Sequence, residues 1–77
     1  MSLKELRNAA GLSQSQLCNL SGLNSHTLRA YEQGKRNING ADIKTLLKLA
    51  SALNCRVSDI VTDEELKQLI EVNNGIK

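Results

Sequence analysis

Between Leu12 and Glu32 the chain reads LSQSQLCNLSGLNSHTLRAYE, and its punctuation allows one local shape, two short helices meeting at a glycine turn. Ser13 followed by Gln16 is an S-x-x-Q capping box. The serine oxygen takes an orphan N–H of the first turn, and the glutamine side chain reaches back to the cap. A helix therefore begins at Gln14, carries Leu17, Cys18 and Ser21 on an inward stripe, and stops at Gly22, which enters the left-handed region without steric cost. After Gly22-Leu23-Asn24, either Asn24 or Ser25 can cap a second helix. On that helix Leu28, Tyr31 and Glu32 share one face, while Ser25, His26, Arg29, Ala30 and Gln33 lie on the other.

Two helices joined by a short glycine-containing turn, the second with a polar outer face, form a helix-turn-helix. Its second helix suits the major groove of DNA, which is about 12 Å wide and admits one α-helix. The rest of the 77-residue chain fits a small helical bundle. It has no proline and a single aromatic residue, Tyr31, so one domain with an aliphatic core is expected. Aromatic and β-branched residues are too thinly spread for alternating strands, and no apolar run approaches the ~20 residues of a membrane span. Lys4, Glu5 and Arg7 interrupt any signal-peptide pattern at the N-terminus. Cys18 and Cys55 fall among apolar neighbours and are expected as buried, reduced thiols. With one histidine, His26, neither a metal-ligand cluster nor any other cofactor site is expected.

Net charge is only +2, but it is unevenly spread. Up to Val57 eight lysines and arginines stand against three carboxylates, net +5; from Ser58 onward two lysines face five carboxylates, net −3. A basic body with an acidic tail is what a chain shows if its first part meets phosphate and its last part does not. Ordinary solvated surface is the plainer account of the same numbers.

In chain order, a first helix is expected from Ser2 to Ala10, stopped by Gly11, with Leu3, Leu6, Arg7 and Ala10 on one side. An arginine on that apolar side and Glu32 on the inward face of the second helix of the motif pose complementary problems, because an unpaired buried charge is costly. The two should pair. After Glu32, Gln33-Gly34-Lys35-Arg36-Asn37-Ile38-Asn39-Gly40 reads as an exposed loop. Its cations and freed backbone N–H groups make Lys35, Arg36 and Asn37 candidate phosphate contacts. A fourth helix, from Ala41 or Asp42 to Leu53, carries Ile43, Leu46, Leu47, Leu49, Ala50 and Leu53 as a broad apolar face, and Asn54 can stop it. A short fifth helix should start at Ser58. Thr62 to Glu65 is a second capping box, T-x-x-E, opening a sixth helix to about Val72, whose Leu66, Leu69 and Ile70, with Ile76 beyond it, need a partner surface.

From Leu3 to Val61 the chain resembles the lambda-repressor-like, Cro and XRE family of helix-turn-helix proteins. The segments LKELRNAAGLSQSQL, SGLNSHTLRAYEQGKRN and IKTLLKLASALNCRVSDI carry the likeness. The resemblance implies an all-α, compact five-helix lambda-repressor-like DNA-binding domain over residues 1–61. Residues 62–77 would add a C-terminal helix and tail for dimerisation or partner binding. It also implies that Arg7 and Glu32 form a largely buried ion pair, and that Gln14 contacts a phosphate and buttresses the recognition helix. Ser25 and His26 open that helix at the end that reaches bases. A neutral imidazole donates or accepts at a base edge, while a protonated one meets phosphate. Arg29 has two destinations, guanine O6 and N7 or a phosphate. Ala30 departs from the family's usual longer polar side chain, leaving a thymine methyl or no contact at all. Asn24 and Thr27 serve as caps or phosphate contacts.

The expected function is that of a sequence-specific transcriptional regulator, a repressor, binding double-stranded DNA at an inverted repeat as a homodimer in a bacterial or phage-encoded, cytoplasmic, nucleoid-associated setting. The rival expectation is an antitoxin-like or adaptor module that holds a protein partner through the last helix. No nucleophile–base pair, paired carboxylates or phosphate-binding glycine loop argues for an enzyme.

Overall fold

The computed structural model describes residues 2–75, so the expectation for Ile76 lies outside the described residues. They form six α-helices and a 3-10 turn, with no strand among them: α1 Leu3–Ala9, α2 Gln14–Ser21, α3 Ser25–Glu32, a 3-10 turn Ile38–Gly40, α4 Ile43–Leu53, α5 Val57–Ile60 and α6 Glu64–Gly75. This is the all-helical, lambda-repressor-like arrangement.

Local chemistry sets most boundaries. Ser13 accepts from the Gln16 N–H at 3.1 Å while the Gln16 side chain accepts from the Ser13 N–H at 2.8 Å, so α2 starts at Gln14. Gly22 ends it at φ 78°. α1 opens on a further S-x-x-E capping box, Ser2 with Glu5, which places Ser2 outside the helix as its cap; at the other end Ala10 is the cap, so α1 ends at Ala9 instead of Ala10. Asp42 caps α4 by accepting from the Thr45 N–H at 2.8 Å, so α4 starts at Ile43, and hydrogen bonding from the Thr45 side chain and N–H holds the Asp42 carboxyl below the usual carboxylate range. Asn54 closes α4 in the left-handed conformation, φ 54°. α5 starts one residue early, at Val57, because Asp59 accepts from the Arg56 N–H at 3.0 Å and makes Arg56 the cap.

The core is built from Leu3, Leu17, Leu28, Leu46, Leu49, Ala50, Leu53, Ile60 and Val61. Leu17 and Leu28, one from each helix of the motif, are fully buried. They fix the α2–α3 angle, since truncating a buried leucine leaves a cavity and costs about 2–5 kcal/mol. The broad face expected of α4 is narrower: Ile43 and Leu47 are 61% and 54% exposed. At 100° per residue the inward direction is taken by Leu46, Leu49, Ala50 and Leu53, leaving Ile43 and Leu47 on the shoulder. Ala10 is exposed as well. Cys18 and Cys55 are both free and half-buried, not buried: Cys18 sits at the edge of the inward stripe of α2, and Cys55 lies in the turn between α4 and α5. Burial and the nearby Asp59 push the Cys55 thiol up, so it stays protonated at neutral pH.

α6 is capped differently from the expected T-x-x-E box. The Asn39 side-chain oxygen accepts from the Thr62 and Asp63 N–H groups at 2.7 and 3.1 Å, and its amide donates to the Thr62 hydroxyl at 2.9 Å. Thr62 is thereby taken up, and Asp63 caps the helix by accepting from the Leu66 N–H at 3.1 Å. Leu66 and Ile70 turn inward against the core, with α6 lying on α5. Asn39→Ala should lower stability by about 1–2 kcal/mol, the net worth of a few exposed hydrogen bonds. Amide hydrogen exchange should show the loss as faster exchange across Glu64–Val72 than across α2.

Candidate nucleic-acid interface

The α3 helix is held at both ends. Its first turn is capped by Asn24, whose side-chain oxygen accepts from the Thr27 N–H at 2.8 Å, which settles the choice between Asn24 and Ser25. At the other end Gly34 adopts φ 77° and lets the chain fold back on the helix. The Lys35 N–H donates to the Ala30 carbonyl at 2.9 Å and the Gly34 N–H to the Tyr31 carbonyl at 3.3 Å, a Schellman closure. The Arg36 N–H also donates to Ala30, at 3.1 Å. The backbone N–H groups of Lys35 and Arg36, expected to be free for phosphate, are thus engaged, and only their side chains face outward.

Glu32 ties α3 to both preceding helices. The Arg7 guanidinium donates from Nε to Glu32 Oε2 at 2.7 Å and from Nη2 to Oε1 at 3.1 Å, a bidentate pair, and from Nη1 to the Leu12 carbonyl at 2.9 Å. Gln14 Nε2 donates to Glu32 Oε1 at 3.1 Å. The Arg7 and Glu32 side chains retain only 10% and 2% of their accessible surface. Burial pushes the Glu32 carboxyl up, but the hydrogen bonds from Arg7 and Gln14 and the charges of Arg7 and Lys4 outweigh it and hold it below the usual range. The same pairing raises Arg7. Because α1, α2 and α3 converge on one carboxylate, the rotation of α3 about its axis is fixed, and with it the direction of its outer side chains.

That outer face presents Ser25, His26, Arg29 and Gln33, all exposed, with Ala30 half-buried among them. His26, Arg29, Ala30, Gln33 and Lys35 line a shallow recess of about 340 Å³. Arg36 lies over the Tyr31 ring with its guanidinium carbon 5.3 Å from the centroid, which steadies a cation at the rim. Asn37 is exposed, and its side-chain oxygen caps the 3-10 turn by accepting from the Asn39 N–H at 3.0 Å. Thr27 is half-buried behind the cap. The structure therefore brings Ser25, His26, Arg29, Ala30 and Lys35 to one surface, with Gln14 behind it. Asn24, Thr27 and Asn37 share in shaping the backbone. Asn39, which anchors the following segment, had no local signature because its partners lie 23 and 24 residues away.

Among the described residues, no group of three or more His, Cys, Asp or Glu side chains could hold a metal ion, and no helix is long and apolar enough to cross a membrane.

A polar helix clamped at a fixed rotation, with cations beside it, fits a groove reader, and comparison with known proteins agrees. A family model described as helix-turn-helix matches residues 3–60. The chain is 37% identical over 65 residues to the control protein C.SmaI of Serratia marcescens, a match covering 84% of this chain and 74% of that protein. No solved structure matches it significantly. The chain belongs to the XRE-type helix-turn-helix family of DNA-binding transcriptional regulators.

Proposed function

We propose that this regulator binds an inverted-repeat operator as a homodimer and represses transcription from it, working in the cytoplasm where the DNA is. The observation that carries this reading is the exposed row Ser25, His26 and Arg29 on a helix whose rotation is fixed by the Glu32 node. Two such helices about 34 Å apart reach successive major-groove faces of one duplex side, so a two-fold protein calls for a two-fold site. Gln14 spends one amide N–H on Glu32, and its second N–H is the donor this reading gives to a phosphate. The relative's description as a control protein is in keeping with a regulatory role.

The reading is tested by selection from a pool of random duplexes. An enriched inverted repeat supports it; enrichment of an unpaired half-site removes the homodimer, and no enrichment removes the operator. Repression is then read with a reporter fused to the enriched site: expression that rises with the regulator present would reverse the sign.

The rim cations have a separate signature. Lys35→Ala should weaken binding to all duplexes about equally and make log K less steeply dependent on log salt, by about 1 in slope for a single phosphate no longer neutralised. Its effect on the choice of sequence should be small. A titration series from low to physiological salt measures both.

A further inference from the structure

A second surface lies away from the recess on α3 and shares none of its lining residues. On α2 and α4, Leu20, Ile43 and Leu47 are 62%, 61% and 54% exposed, large apolar side chains displayed side by side. With Ser21, Lys44 and Lys48 they line a groove of about 460 Å³, apolar along its floor and basic along its outer edge. α6 has the opposite character. Its Leu66 and Ile70 are used on the chain's own core, while Leu69 and Val72, 54% and 62% exposed, point away from it. Helical spacing puts Glu65 on the same line as Leu69 and Val72.

Charge decides how these two surfaces pair. Groove against groove would bring Lys44 and Lys48 of two copies together, and α6 against α6 would oppose carboxylates. Only groove against α6 joins apolar to apolar and cation to carboxylate at once. We infer that the groove between α2 and α4 is the seat for α6 of a second copy of this chain. The inference rests on the homodimer part of the reading above and gives that dimer its interface. Leu69 and Val72 enter between Leu20 and the Ile43–Leu47 shoulder, as an amphipathic helix enters a groove, while Glu65 meets Lys44 and Lys48. Repeated about a two-fold axis, the contact forms twice and closes on itself.

Sedimentation equilibrium of the purified chain without DNA tests this. The parent should dimerise. Leu47→Asp and Val72→Asp, both at exposed positions, should keep their helicity and weaken self-association by about 10- to 100-fold, the factor carried by one buried aliphatic side chain. Reversing the groove (Lys44→Glu with Lys48→Glu) and reversing the helix (Glu65→Lys) should each give monomers, and mixing the two variants should restore a dimer. A monomeric parent overturns the inference. So does a Leu47→Asp variant that dimerises like the parent, or a mixture that stays monomeric. Operator selection is read separately: a chain that dimerises through this seam yet enriches no sequence would defeat the operator reading and leave the seam standing.

Discussion

Glu32→Ala should destabilise the fold by roughly 3–5 kcal/mol, the cost of stranding a buried guanidinium whose ion-pair partner has been removed. Arg7 would keep its bond to the Leu12 carbonyl but lose both bonds to the carboxylate, and Gln14 would lose its acceptor. Arg7→Ala should cost a similar amount, and the double variant less than the sum of the two, because the second substitution removes a charge already stranded. Urea melts of the three variants and the parent supply the numbers; a Glu32→Ala melt that overlays the parent would mean that the bridge contributes nothing.

Acid should act on the same node. The folded Glu32 carboxyl lies below its ordinary value of 4.5, so the stability it contributes is complete at neutral pH. That contribution is lost as pH falls below 4.5 toward the lowered folded value. The parent should therefore lose stability over this range more steeply than Glu32→Gln, which has no such proton to take up. Melts from about pH 6 down to about pH 3 compare the two slopes.

Arg29→Ala should remove discrimination at one base-pair position of the operator, weakening specific binding by about 5- to 150-fold if the guanidinium is bidentate on a guanine. Non-specific binding should change by no more than the removal of a single cation accounts for. The contrast with Lys35→Ala separates the two roles: a base contact changes which sequence is preferred, and a phosphate contact changes how strongly all sequences are held. If Arg29→Ala lowers specific and non-specific binding by the same factor, Arg29 is a phosphate contact. Adding His26→Ala should relax preference at a neighbouring position, because the two side chains stand about one helical turn apart on the same exposed face.

The helix starts and stops around the motif were legible because they are local. A serine with a glutamine three residues on, a glycine at a left-handed C-terminus and an asparagine at the next cap involve partners within one turn, so the sequence contains both sides of each interaction. The Arg7–Glu32 pairing was legible for a different reason: two charges on inward faces leave few arrangements that avoid an uncompensated burial. Local pattern misleads where a longer-range partner competes with a nearby one. Thr62 carries the signature of a cap, yet Asn39 takes it and Asp63 caps α6 instead. Lys35 and Arg36 have loop-like surroundings, yet their N–H groups close the end of α3.

By itself, then, the sequence determined the number and order of helices, the glycine turn between α2 and α3, and the polar row that α3 turns outward, since periodicity and capping act over three or four residues. Only the tertiary structure decided which apolar residues remain outside. Ile43 and Leu47 satisfy the helical period as well as Leu46 does, but a neighbouring helix covers only part of another's circumference, and α2 faces α4 with the small Ser21 beside the outward Leu20. That packing leaves a groove between them, which local pattern cannot reveal, because its two walls come from segments more than twenty residues apart.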